Sequence, residues 1–301
     1  MKKFIIVCLM LMSTIGFSQP VEWLTSLEAA QRLSLIQNKM IVMTWEDSMT
    51  LPLPVTIKDE NGVRRYIDDL FKNGILINLL KEHFILVSVN ESEYPKMIEK
   101  IENKRSTSYI DKFNDDSLKV MDANGTIVNV DAPYQEFFDI ATFIQNYAIN
   151  TEFINAELKS YYDVQNFVTT FRLSSRYLDM ASYVFSQSRE EFVNVSSIYL
   201  KEAEKFLIEE AMDNQEAFQQ KIELKQLEQE LVLGNPKKVL RKLKRLDPTE
   251  INDINNTLVS FLYFTSYLMR KDETNASNYR SDISLIDLKW ASAIINSYVK
   301  L

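Results

Sequence analysis

Few residues of this 301-residue chain are of types that carry covalent or acid–base chemistry. There is one cysteine, Cys8, and one histidine, His83. A lone thiol cannot close a disulfide within the chain, and thiol–disulfide exchange needs a thiolate nucleophile. His83 has no cysteine or second histidine to join it around a metal, and reads as a helix C-terminal residue favoured by the dipole. Carboxylates cluster at Glu46-Asp47, Asp68-Asp69, Glu91 with Glu93, and Asp115-Asp116. None has calcium-loop spacing with its glycine, so they read as solvated loops and helix starts, Asp116 being the one to follow. The five glycines are isolated, which leaves no phosphate cradle, and no Gly-x-Ser-x-Gly elbow is present. The residue types therefore predict no catalytic residue, no metal site and no cofactor.

The elements that must hold these residues begin with a leader. Met1-Lys2-Lys3, the apolar run Phe4 to Ile15 and Gly16-Phe17-Ser18 have the three parts of a secretory signal peptide. Cleavage after Ser18 would leave a mature chain from Gln19 without any thiol. Cys8 lies inside the apolar run, not directly after it, which argues against a lipid anchor. The expectation is a soluble exported protein, periplasmic in a Gram-negative host inferred from the style of the leader, or secreted. Hydrophobic residues make up 46% and charged residues 25%, proportions typical of a globular chain. The net charge of −8, or −10 without Lys2 and Lys3, disfavours a nucleic-acid surface. Beyond the leader the longest apolar candidate, Leu258 to Met269, falls short of the roughly 20 residues that span a bilayer.

The first half reads as alternating helices and strands. Val21-Glu22-Trp23 leads to Thr25-x-x-Glu28, a capping-box spacing that opens a helix with Leu27, Ala30, Leu33 and Leu35 or Ile36 on its apolar face. Met40 to Trp45 reads as a buried strand, followed by the loop Thr50-Leu51-Pro52-Leu53-Pro54 and a polar insertion around Lys58 to Gly62. Ile75 to Lys81 reads as a helix, Phe84 to Val89 as a second buried strand, and Met97 to Glu102 as helix. Leu118 to Val130 reads as a β-hairpin turning at Asp122-Ala123-Asn124-Gly125, and Pro133 opens a helix over Tyr134 to Tyr147.

This order resembles the thioredoxin fold, and in particular the exported thioredoxin-like family with a tryptophan ahead of its first helix. The residues that carry the resemblance are Trp23, Ser26, Ala30, Asn38, Lys39 and Ile41, the junction Leu79 to Phe84, and the hairpin Val120 to Gly125. It covers residues 21–148. The resemblance implies a redox loop at Thr50-Leu51-Pro52-Leu53, with Pro52 kept and both cysteines replaced. It also implies that Asp116-Ser117 stands where the family has its cis-proline; a non-proline cis bond costs about 2.5–4 kcal/mol, so a trans peptide is expected. Thiol–disulfide oxidoreductase activity is thereby excluded. What remains is a surface suited to extended polypeptide, with Trp45, Thr50, Leu51, Pro52, Leu53, Asp116 and Ser117 as its candidate contacts.

From Thr151 onward only helical periodicity is found. Apolar residues recur at Phe167, Phe171, Leu178, Tyr183 and Val184, at Ile198, Ala203, Phe206 and Leu207, and at Ile222, Leu224, Leu227, Leu231 and Leu233. Val239, Leu240, Leu243 and Leu246 follow, then Leu258 to Leu268 and Leu285 to Val299, for six or seven helices in all. Gly234 reads as a C-cap and Pro236 as the next helix start. Gly234 to Pro248 resembles the second helix of a tetratricopeptide repeat, without a second copy at that period. The basic helix 237–245 could touch an anionic surface; it reads more simply as a solvated face, partly neutralised by Glu223, Glu228 and Glu230. Phe261, Tyr263, Phe264 and Tyr267 read as core.

The fold class is thus an α/β thioredoxin-like domain (19–150) followed by an all-α helical domain (151–301). The function expected is a redox-inactive binding or assembly module with a protein or peptide partner in the cell envelope. The runner-up is a helical scaffold on a thioredoxin-like platform, which exposed apolar residues on a concave helical surface would favour. A glutathione-transferase-like enzyme is least favoured, because Asp116 replaces the proline such enzymes use.

Overall fold

The computed structural model describes residues 23–58, 62–131, 138–210 and 213–299. The leader with Cys8, and Pro133-Tyr134, lie outside them. Six strands are formed: β1 (Ile41–Trp45), β2 (Val55–Lys58), β3 (Arg64–Ile67), β4 (Ile85–Val89), β5 (Lys119–Met121) and β6 (Phe138–Asp139). The first half also carries five helices: α1 (Leu27–Gln37), α2 (Gly74–His83), α3 (Tyr94–Ile101), α4 (Thr107–Asn114) and α5 (Ile140–Tyr147).

β1 is the centre because every one of its five residues is apolar or can lose its water cheaply, and all five are buried. It pairs parallel with β4, in register Ile41 to Ile85 through Trp45 to Val89, and antiparallel with β5. Single bridges extend the sheet at both edges, Leu24 parallel to Val87 and Met121 antiparallel to Ile127. The period of two splits the sheet into two faces. Ile41, Met43, Trp45, Ile85, Val87, Val89 and Met121 meet Ala30 of α1 and Tyr109 and Phe113 of α4. Val42, Leu86 and Val120 meet α2 and α5, in a buried cluster that continues without interruption into the helical half as far as Ile294.

Several local readings are corrected. The cap of α1 is Ser26, whose Oγ accepts the Ala29 N–H at 3.3 Å, one residue later than the Thr25 box. Of the pair Leu35 or Ile36, Leu35 packs against the core and Ile36 is 75% exposed, with Ala30 and Ser34 turned fully inward. The polar insertion flanks a real hairpin: β2 pairs antiparallel with β3 and parallel with β6. Its strands are four residues long with polar faces, too short for alternation to register. Helix α4 was hidden because only Tyr109 and Phe113 of its eight residues are buried. Helix α5 starts at Ile140, not Tyr134; Phe138–Asp139 is extended, and Asp139 Oδ1 caps the helix at the Thr142 N–H, 2.8 Å away. The hairpin is present, but its second arm is held by one bridge and by bonds from Val128 N–H to Val120 and from Asp122 N–H to the Thr126 carbonyl.

The second half contains eight α-helices among the described residues: α6 (Asn155–Asp163), α7 (Phe167–Ala181), α8 (Arg189–Glu209), α9 (Gln215–Val232), α10 (Pro236–Leu243), α11 (Asn256–Met269), α12 (Glu273–Ser277) and α13 (Leu285–Val299). Gly234 ends α9 with φ +80°, and a Cβ there would come within 2.8 Å of the Tyr298 ring, so both the backbone and the space require glycine. Pro236 opens α10. That helix stops at Leu243, leaving Leu246 beyond the periodic stripe and exposed. Phe261, Phe264 and Tyr267 of α11 are buried, as core burial predicts.

Buried tyrosines and carboxylates join the halves. Asp122, fully buried in the hairpin turn, accepts the Asn124 and Thr126 N–H groups at Oδ1 (2.8 and 2.9 Å). At Oδ2 it accepts the Tyr177 and Tyr199 hydroxyls, from α7 and α8, at 2.9 and 2.6 Å. Burial raises this carboxyl above its ordinary value against the pull of all four donors. Tyr161 donates to Glu202, which also pairs with Arg105 at 2.9 Å. Tyr147 donates to both oxygens of Glu191 at 2.9 and 2.8 Å.

Asp122→Ala removes the acceptor of two amides and the Tyr177 hydroxyl, leaving Tyr199 only its contact with Thr126 Oγ1 at 2.9 Å, and is expected to cost about 3–5 kcal/mol of unfolding free energy in chemical denaturation. Glu191 titrates at about 7, raised chiefly by burial, against an ordinary 4.5. A raised folded value means that stability is greatest below the ordinary range and declines as pH rises through 7. Glu191→Gln keeps an acceptor for Tyr147 and should remove this decline, making the variant more stable than the parent by up to about 3 kcal/mol at pH 9. Parallel melts from pH 5 to 9 would measure it.

Candidate functional site

The redox-like loop follows β1 as a short 3-10 turn, Asp47–Thr50. Thr50 is exposed and its hydroxyl donates to the Asp47 carbonyl at 2.7 Å. Leu51 is 60% exposed, Pro52 is exposed, and Leu53 is half-buried with its N–H 3.4 Å from Asp69. Asp116 is exposed and accepts the Ser48 hydroxyl at 2.7 Å, so the turn before β5 does meet this loop. Ser117 belongs to the same turn but turns to Lys112 and Asp115, at 2.5 and 2.6 Å. No cis peptide occurs among the described residues.

Trp45 is the exception. It is 5% exposed, its ring lies edge-on to Phe113 at 5.3 Å, and its Nε1 donates to the Phe113 carbonyl at 3.0 Å. The strand period that buries Ile41 and Met43 buries Trp45 on the same face, under α3 and α4. It is a core residue, not a surface contact.

Beneath the loop lies a charged cluster that the sequence reading did not isolate. Lys119, wholly buried in β5, donates to the Asp115 carbonyl and pairs with the Asp115 carboxylate at 3.3 Å. Burial pushes it down to about 8, and burial likewise lowers Lys112. Burial would raise Asp115, but the Ser117 hydrogen bond and the two lysines outweigh it and hold the group low. The cluster satisfies the C-terminal end of α4 through the Lys119 bond to the Asp115 carbonyl. His83 ends α2 half-buried, and no group of three potential metal ligands exists among the described residues.

Two adjoining hollows lie elsewhere, the first on the helical half and the second at the seam where residues 145–150 of the α/β half meet it. The larger, of about 480 Å³, is walled by Phe153, Tyr183, Phe261 and Trp290 and floored by charged residues of α7 and α9. The second, of about 370 Å³, is apolar, lined by Ile149, Met180, Val184 and Phe185. Phe153 and Tyr183 border both; their rings meet edge-on at 6.4 Å, and they are 55% and 70% exposed. The periodicity reading placed Tyr183 in a buried stripe. Helix α7 ends at Ala181, however, so Tyr183 leaves the stripe with the turn and projects outward.

The charges of the larger hollow are mostly paired. Arg176 bonds Glu157 at 3.0 Å and Asp179 at 3.2 Å, with its guanidinium 5.5 Å from the Phe153 ring centre. Glu228, assigned from the sequence to neutralise the basic helix, faces this hollow: Oε1 accepts Trp290 Nε1 at 2.7 Å and Oε2 pairs with Lys225 at 2.7 Å. Only Glu230 reaches the basic helix, through Lys238. Burial lifts Asp179 to about 6, opposed by Lys225 and reinforced by Glu228. Lys221 is held below its ordinary value, first by burial and then by Lys225.

No family model, no curated protein and no solved structure matches this chain. No helix among the described residues is long and apolar enough to cross a membrane.

Truncation separates the core role of Trp45 from the surface role of the loop. Trp45→Ala should lower the unfolding free energy by about 3–5 kcal/mol, and Leu51→Asp should change it by less than about 0.5 kcal/mol. Urea denaturation of both variants would show the difference.

Proposed function

We propose that the chain is an exported, redox-inactive thioredoxin-like protein whose helical half binds polypeptide. The thioredoxin-like reading is supported by the strand order Leu24–β4–β1–β5–Ile127. Its first two neighbouring pairs are parallel and its last two antiparallel, with α1 and α4 over one face and α2 and α5 over the other. The absence of dithiol chemistry follows from the residues, since the only cysteine is Cys8 and the loop carries Thr50 and Leu53. Export, and hence a partner in the cell envelope, rests on the leader.

One observation favours the helical half over the loop as the binding surface. Phe153, Tyr183 and Phe185 are large aromatics left exposed around an apolar hollow of about 370 Å³. Exposed apolar surface gathered in a concavity marks interaction sites, whereas scattered single residues do not. The loop offers only Leu51 and Pro52 once Trp45 is assigned to the core. The α/β half then serves as a platform, and the aromatic edge is where an extended segment with apolar side chains would lie.

The test is binding of the protein to an array of peptides rich in apolar residues. Phe153→Ser with Tyr183→Ser should weaken the bound set at least tenfold, about 1.4 kcal/mol, and Leu51→Asp should leave it unchanged. The opposite pattern would return the site to the loop, and an array without binders would refute a polypeptide-binding role.

A further inference from the structure

The larger hollow differs from its apolar neighbour in being lined by lysines that form no ion pair among the described residues. Its three carboxylates are all engaged. Asp179 is held by Arg176, Glu228 by Trp290 and Lys225, and Asp287 by the Ser284 amide and hydroxyl at the start of α13. Four cations line the same space, and two of them, Lys221 and Lys289, form no ion pair among the described residues. Lys221 is half-buried on α9, one turn before Lys225, so it gives up part of its hydration without receiving an anion in return. A cation in that position is a cost that a bound anion would offset.

The remaining walls specify the rest of the ligand. Phe153, Tyr183, Phe261 and Trp290 present ring faces and edges, and Trp290 is fixed in place by its bond to Glu228. A volume of about 480 Å³ falls within the range of small-molecule sites, which combine apolar walls with a few placed polar groups. We infer that this hollow binds a small carboxylic acid with an apolar or aromatic body, its carboxylate on Lys221 and Lys289 and its body against the Phe153–Tyr183–Trp290 wall. Such a ligand would share the aromatic wall with a polypeptide seated in the neighbouring hollow, so acid and peptide would sense one another through Tyr183.

Isothermal titration of the protein with 3-phenylpropionate and with decanoate tests this, using the corresponding amides as uncharged controls. At least one acid is expected to bind with a Kd below about 1 mM, ten times tighter than its amide or better. Lys221→Gln should abolish the acid–amide difference, and Lys289→Gln should reduce it. Both side chains sit at or near the surface, so circular dichroism should show these variants folded; affinity should also fall with added salt. Equal affinity for acid and amide, no saturable binding of either acid, or an acid preference that survives Lys221→Gln with Lys289→Gln would each overturn the inference. None of these outcomes touches the peptide array, whose result does not depend on Lys221.

Discussion

The Asp122 carboxylate sits wholly out of water with four donors around it, and neither half of the chain supplies all four. The turn provides the amides of Asn124 and Thr126, and helices α7 and α8 provide the hydroxyls of Tyr177 and Tyr199. A buried charge is tolerated only when its partners are complete. The turn is closed by its own local bonds, and the two helices complete the set of donors around its carboxylate. Tyr147 with Glu191, and Tyr161 with Glu202, repeat the arrangement along the same junction. The apolar cluster that runs from Met40 to Ile294 supplies the bulk of the adhesion; the carboxylates fix the register in which it forms.

This constraint explains which apolar side chains stay exposed. One face of the central sheet is closed by α1 and α4, and the other is committed to the junction. Trp45 is drawn into the first face and lost to solvent, which strips the loop after β1 of its largest apolar contact. The helical half leaves its exposed aromatics at the rim of that junction, around a hollow to which residues 145–150 also contribute. Where α7 ends and the chain turns, Tyr183 and Phe185 emerge beside Phe153, with Trp290 on the far wall of the adjoining hollow. Concavity, aromatic exposure and lysines that form no ion pair among the described residues coincide there.

Local rules reached a good part of this. The run Ile41 to Trp45 and the run Ile85 to Val89 were legible as buried strands because continuous apolar runs of that length have few other solutions. Gly234 and Pro236 were legible as an end and a start because left-handed φ and a missing N–H are properties of single residues. The hairpin β2–β3 and helix α4 were not, since their short, half-polar segments give no clear period and are stabilised by what they lie against. Asp122 was read correctly as a turn residue and missed as the junction, its tyrosine partners lying 55 and 77 positions further along.

By itself the sequence determined that the chain holds a single cysteine, that it is acidic, and that an alternating α/β half precedes a helical one. These follow from residue inventory and short-range periodicity, which need no knowledge of neighbours. Tertiary structure alone decided that Trp45 is core and Tyr183 is surface, that Glu228 serves Trp290 and not the basic helix, and that Lys221 forms no ion pair among the described residues. Each of these is a question of which distant groups share a few ångströms. Exposure and charge compensation are properties of that shared space and not of any segment of the chain.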